Sequence, residues 1–499
     1  SCPYKQRFIH RRCCTLCYCP CNQINVPKTN MKPISQRLLH GGIIAVLGRS
    51  AIAIGVVLVN ALIARLLSPQ ETGLFFLALS IVTVAAVIAD FGFGKTLLRV
   101  IPDAVTTGEE VKAHLHIRQV FIAVMITIAI TVVFLISPAG LWLAEQLSHG
   151  TLLGELMPLV ASWLVATVVL SLLAETCRGY HHIGAAILYG GALTGLGNIV
   201  LVTLALTIAW YSSITIGLKQ LIILFIISSS VLVLFASIKL RRKLRHDRIE
   251  VSSESARHVK DLFVLAWPFW ISSMAMILIT HAEIWILGYL RPPEEVAAFA
   301  LVARLALLVS FPLIIVNSVL PPIISELYAR DDIKKMERML RGSAGLTSLA
   351  ALVIFLLLII LGDWLPQFLF GEYFSGNWNT MMVLAAGWLF HVWAGSGGFV
   401  LSMTDNQKSG MLINVAVGGV TLLAGVWLTS LYGGLGMAIA SSSGIVLINI
   451  LMLVMIRHKL DINIYAGLSG FRDLLNEIQR RMHSSQIKTE SEDTGEATR

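Results

Sequence analysis

Charge is scarce in this sequence. Asp, Glu, Lys and Arg together make up 13% of its 499 residues, against roughly a quarter in soluble domains. That is too little to clothe a water-soluble surface. Cysteine is scarcer still beyond residue 30, where Cys177 stands alone and gives no guide to disulfides. Beyond residue 30 the chain also lacks a P-loop, an HExxH, a GxSxG and any paired-cysteine metal pattern. These absences leave enzymatic activity, a metal site and a cofactor without support, so none is expected.

What fills the chain instead is apolar sequence: 56% hydrophobic residues and a mean hydropathy of +0.77. A bilayer core about 30 Å thick needs about 20 apolar residues per helix, because lipid satisfies no free backbone N–H or C=O. Runs of that kind predict an all-α polytopic membrane protein of about twelve helices. The expected spans are 38–66, 73–94, 115–137, 152–174, 184–209, 216–239, 261–289, 295–320, 344–362, 380–402, 410–430 and 434–456.

The net charge of +9 acquires meaning from where it sits. Lys95, Arg99, Lys112, Arg118 and Arg178, then the cluster from Arg241 to Lys260, then Arg330 to Arg341 and Lys408, all fall in alternate loops. The intervening loops hold little beyond Lys219 and Arg291. This is the positive-inside pattern, and it places both termini in the cytoplasm of a cell with the chain in its inner membrane. The charge is therefore a topology signal with contacts to anionic lipid, and it argues against nucleic acid.

Residues 1–30 hold six of the seven cysteines. No His or carboxylate completes a metal-ligand spacing there, so the segment reads as upstream or non-native sequence, with Met31 as the expected start. The remainder divides into a first six-helix bundle at 31–240, a basic cytoplasmic linker at 241–260, a second bundle at 261–458, and a partly disordered tail at 459–499. Asp103 to Arg118 and Ser325 to Arg341 are polar with helical spacing and are expected to form interfacial helices. The halves look duplicated. With a shift of 223 positions, Leu67, Pro69, Glu71 and Phe76 fall on Leu290, Pro292, Glu294 and Phe299, and Gly184 falls on Gly410 with a shift of 226. Two six-span halves of the same orientation are related by an axis along the membrane normal.

Charges inside spans are the informative residues, since even a lenient insertion scale assigns about 2.5 to 3.5 kcal/mol to a central Arg or Asp. Arg49 and Asn60 share one face of the first helix, about 16 Å apart along it. One reading makes them a cavity wall for an anionic substrate; the other has Arg49 snorkelling to headgroups or pairing with Asp90. Arg304, in the eighth helix, joins the first reading. In the seventh helix Glu283 and His281 offer a protonation or cation site coupled to transport, or else a structural contact such as a salt bridge to Arg65. Asp90, before FGFG, is a coupling candidate or a helix-end contact. Pro268 and Pro312 are expected to kink helices seven and eight.

The stretch NALIARLLSPQETGLFFLALSIVTVAAVIADFGFG, followed by a charged loop, resembles the polysaccharide transporter family. These are the O-antigen and exopolysaccharide flippases of the multidrug, oligosaccharidyl-lipid and polysaccharide (MOP) exporter superfamily, which also holds the MATE drug exporters. The resemblance runs over residues 34 to about 460. It implies two six-helix bundles around a cavity that opens alternately to each side, and a cargo oligosaccharide on a polyprenyl diphosphate, moved to the outer leaflet. Implied partners are that lipid-linked oligosaccharide, membrane lipids, H+ or Na+, and the polymerase and glycosyltransferases of glycan synthesis. Two alternatives stand beside it: an ion-coupled multidrug exporter of the same superfamily, and a membrane scaffold for glycan-synthesis enzymes.

Overall fold

The computed structural model describes residues 34–106, 110–180, 182–190, 195–246, 259–404 and 406–467. The cysteine-rich segment, the middle of the 241–260 segment and most of the tail lie outside them. The described residues from 42 onward make one compact unit. The described residues contain helices and no strand.

The first half runs α1 (Ile34–Leu66), α2 (Pro69–Asp90), α3 (Phe93–Thr106), α4 (Glu110–Ile136), the short α5 (Pro138–Ser148) and α6 (Leu152–Glu155), then α7 (Met157–Gly179), α8 (Ile183–Leu188), α9 (Leu196–Tyr211) and α10 (Leu218–His246). The second half runs α11 (Val259–Leu290), α12 (Pro293–Leu307), a 3-10 turn, α13 (Phe311–Val316), α14 (Leu320–Ala329), α15 (Ile333–Leu361), α16 (Trp364–Phe370), α17 (Trp378–Ala394), α18 (Gly397–Met403) and α19 (Gln407–Leu460).

Eight of these helical stretches are long and apolar enough to cross a bilayer, and α17 with α18 forms a further one bent by 43°. The 54-residue α19 is two helices, broken where Gly433 adopts φ 58°. Gly444 lies against Thr421 and Gly425 against Met437, so the chain doubles back as a hairpin. With α11 and the α8–α9 pair, these give six crossings in each half.

Three expected spans are broken. The fifth divides into α8 and α9, and Gly195 lies directly against the Gly190 carbonyl. The eighth becomes α12, the 3-10 turn Leu308–Ser310 and α13, with Pro312 just after the break, as a missing N–H requires. The tenth bends at Gly395 (φ 81°). Pro268 is accommodated inside α11.

The interfacial helices also differ from expectation. The amphipathic one is α3, with Phe93, Leu97, Val100, Ile101 and Ala104 buried and Lys95, Arg99 and Asp103 exposed, while most of 103–118 is already part of α4. Likewise Lys334 to Arg341 begins α15. α10 continues to His246 and α11 starts at Val259, so helix occupies both ends of the segment expected as a linker. Past α19, Ile462 and Ile464 are buried and Asn463 donates to Glu337; this first part of the tail packs on the second half.

Inside the first half Phe75, Trp163 and Phe225 stack at 5.0 to 6.0 Å with no exposed surface. Lipid supplies no hydrophobic drive between helices, so this kind of close packing must hold the bundle. Between halves, α2 packs on both α11 and α12, and Gly73 meets the Pro293 carbonyl so closely that no Cβ fits.

The duplicated turn is resolved in detail. Ser68 caps α2 with a capping box to Glu71, and Pro69 occupies the first turn, a sequence-encoded helix start. Glu71 also accepts from the amide of Leu218, the first residue of α10, at 3.1 Å. In the second half it is Glu295 that accepts from the amide of Gly434, where the second helix of α19 begins, at 2.7 Å. Helix starts Pro69 and Pro293, and clamps Glu71 and Glu295, put the structural register at 224 positions. That is one more than the sequence match gives.

Candidate functional site

A cavity of about 800 Å³ lies between the halves, walled by α1, α2, α3 and α7 on one side and by α11, α12, the 3-10 turn and α13 on the other. Most of its lining is apolar. The charged side chains in it are Arg49, Asp90, Lys95, Glu175 and Arg304, joined by His281.

They occupy two depths. Arg304 is eleven residues on from Pro293, about 16 Å along α12, and interacts electrostatically with His281 in the same wall. Asp90, Lys95 and Glu175 sit where α2 ends, α3 begins and α7 ends. This level belongs to the face bearing Arg99, Arg178 and Arg330, termed here the basic face. Arg49 projects from α1 and donates from Nη1 to the Ile314 carbonyl of α13 at 3.3 Å, not to Asp90.

The DFGFG sequence builds the basic-face end of the cavity. Both Asp90 carboxylate oxygens accept from the Gly94 amide, at 3.1 and 3.4 Å, which caps the start of α3. Phe91 (φ 48°) and Gly92 (φ 77°) turn the chain through the left-handed region. Phe91 then packs at 4.6 Å on Phe263 and 4.7 Å on Trp270 of α11, and Phe93 is buried behind it. Lys95 Nζ donates to Ser273 Oγ at 2.9 Å, and that hydroxyl donates onward to the Phe269 carbonyl at 2.8 Å. Glu175 accepts from Arg178 at 2.7 Å through one oxygen. Its other oxygen is buried and has no hydrogen-bond partner among the described residues.

Of the residues singled out from sequence, Arg49, Arg304, His281 and Asp90 line this cavity. Asn60 does not: the wall along α1 ends at Val57, and Asn60 is buried with its amide donating to the Val56 carbonyl at 2.8 Å. Glu283 stands behind the wall, beside Ser441 of α19 and within electrostatic reach of Arg304. Arg65 bonds elsewhere, to the Leu369 and Phe368 carbonyls. Lys95 and Glu175 were not among the sequence candidates. In the 224 register Arg49 corresponds to Ser273 and Arg304 to Ser80, whose hydroxyl accepts from Trp285 Nε1 at 2.9 Å. Both positions are thus polar in both halves.

Two six-helix halves meeting over a largely apolar cavity that a few charged side chains line make this a multi-pass membrane protein. A sequence profile of the family described as "Polysaccharide biosynthesis protein" matches residues 38–328, and the chain belongs to that family. Its structure is similar to the lipid II flippase MurJ in an inward closed conformation, at TM-score 0.67 and 12% identity over 85% of this chain and 88% of that one. It is also similar to an inward-facing multidrug resistance MATE family transporter, at TM-score 0.61 and 14% identity over 82% and 94%. A MOP superfamily transporter from Pyrococcus furiosus matches at TM-score 0.55 and 16% identity over 85% and 95%. A comparison with curated protein sequences gives no match.

Proposed function

We propose that this protein carries a polyprenyl-diphosphate-linked oligosaccharide from the inner to the outer leaflet of a bacterial cytoplasmic membrane, by alternating access, during surface polysaccharide assembly such as that of O-antigen or exopolysaccharide. The observation that carries the proposal is the pair Arg49 and Arg304, one from each half, facing one largely apolar cavity. A guanidinium fork suits diphosphate oxygens, and the apolar lining suits a lipid-linked molecule. The family supports a role in polysaccharide synthesis. On this reading the basic face is cytoplasmic, and polymerase and glycosyltransferases are its partners.

Arg49→Ala and Arg304→Ala should each abolish surface polysaccharide while leaving protein in the membrane, and the lipid-linked saccharide should accumulate. Normal export by both variants would sink the anionic-cavity idea. Arg→Lys should retain part of the activity if charge alone matters, and little if the fork is required.

Coupling to H+ or Na+ is assigned to Glu283, backed by Arg304 and Ser441, with His281 and Asp90 as further candidates. Glu283→Gln should blunt the response of flipping in vesicles to an imposed ion gradient; an unchanged response removes Glu283 from the mechanism. The carboxylates Asp90 and Glu175 in the wall favour a second reading, export of cationic drugs. Deletion separates the two: accumulated lipid-linked saccharide supports the first, raised drug sensitivity without it the second.

A further inference from the structure

At the basic-face end of the cavity two hydrogen bonds among the described residues tie the halves, and in both the donor is a cation. Arg49 of the first half reaches the Ile314 carbonyl of the second at 3.3 Å. Lys95 of the first half reaches the Ser273 hydroxyl of the second at 2.9 Å. In the 224 register Arg49 corresponds to Ser273, and Ile314 to Asp90, a turn before Lys95. The two ties therefore occupy pseudo-equivalent places on opposite sides of the pseudo-symmetry axis.

Neither acceptor carries charge, whereas hydrogen bonds between ionised partners are roughly twice as strong as neutral ones. Lys95 feels both Asp90 and Glu175 yet forms no ion pair with either, since Asp90 caps α3 and Glu175 holds Arg178. Its ammonium is exposed to the cavity. Beside it, Phe91, Phe263 and Trp270 close the aromatic seam between α2 and α11.

We propose that Lys95 is a contact for the cargo's diphosphate, and that Arg49 and Lys95 together form a latch which the cargo itself opens. The inference rests on the anionic-cargo reading above. An empty cavity leaves both cations on neutral acceptors of the opposite half and the basic-face end tied. An entering diphosphate offers each a charged acceptor, both ties are lost, and the halves part where the cargo must pass. The carboxylates keep the lysine in place until then.

The test uses the full chain in lipid nanodiscs, titrated with farnesyl diphosphate. Hydrogen exchange is followed in peptides covering residues 91–101 and 262–273. The wild type should bind the diphosphate and exchange faster in both peptides when it does. Lys95→Met should weaken binding about tenfold or more and lose the exchange response, with Lys95→Arg restoring most of both. Ser273→Ala should raise exchange in the cargo-free protein. Farnesol should produce no response, and neither should added phosphatidylglycerol. Failure of the wild type to bind farnesyl diphosphate overturns the anionic-cargo reading and the latch with it. Binding that falls in Arg304→Ala but not in Lys95→Met overturns the lysine contact alone. Binding that opens neither peptide, or equal opening by phosphatidylglycerol, overturns the latch.

Discussion

A methyl group added at Gly92 would stand 2.4 Å from the Ala266 carbonyl oxygen and 2.8 Å from the Trp270 nitrogen, on a backbone with φ 77°. Both obstacles are backbone, so neither can swing aside, and the left-handed conformation alone costs an L-residue about 1 to 2 kcal/mol. Gly92→Ala should therefore lower the apparent unfolding temperature of the purified protein and speed exchange at the α2–α11 seam. Gly419→Ala, which meets nothing within 4 Å, should do neither. Equal behaviour of the two variants would mean that the seam is not held as closely as the geometry requires. The same seam shows what single residues disclose in sequence. Arg49, Asp90, His281 and Arg304 were legible because ionisable groups in apolar runs are costly enough to demand a role. Lys95 and Glu175 were not, since they follow the apolar runs of α2 and α7, where charge is routine. Asn60 shares a helix face with Arg49, but helical periodicity gives direction and not depth; the cavity stops one turn short of it.

The elements are joined by the glutamates at the third position of α2 and α12. Each takes the amide at the start of the last crossing of its half, an N–H that helix geometry leaves unpaired and whose dipole favours a carboxylate. Removing such an acceptor strands a donor at a cost of about 1 to 3 kcal/mol. Glu71→Ala and Glu295→Ala should each lower the unfolding temperature, and Glu295→Gln, which keeps an acceptor oxygen, should recover much of the loss. If Glu295→Ala matches the wild type, water replaces the clamp at no cost. The duplication was visible in sequence but its register was not, because the second copy reads Pro292, Pro293, Glu294, Glu295 and the doublets fit two alignments equally. Pro312 announced the break after α12. The breaks at Gly395 and between α8 and α9 could not be told from the many glycines that helices here tolerate.

For the whole molecule, the alternating access proposed above requires that the face opposite the basic one also part, and a second cross-half contact sits there. Arg65, at the end of α1, donates from Nε to the Leu369 carbonyl at 3.0 Å and from Nη2 to the Phe368 carbonyl, both at the end of α16. Its guanidinium lies 5.9 Å over the Trp210 ring. A cation near a helix C-terminus satisfies carbonyls that have no partner of their own. Hydrogen bonds to charged groups contribute about 1.5 to 3 kcal/mol, which corresponds to a shift of about tenfold to a hundredfold in the balance between open and closed forms of that face. Arg65→Ala should therefore raise hydrogen exchange in the peptide spanning residues 362–371 while leaving that of 91–101 unchanged. Arg65 lies outside the cavity, so farnesyl diphosphate affinity should move far less than in Arg304→Ala. Exchange that rises at both faces together would show the two contacts to be parts of one rigid closure, and the halves would then have to separate everywhere at once for cargo to cross.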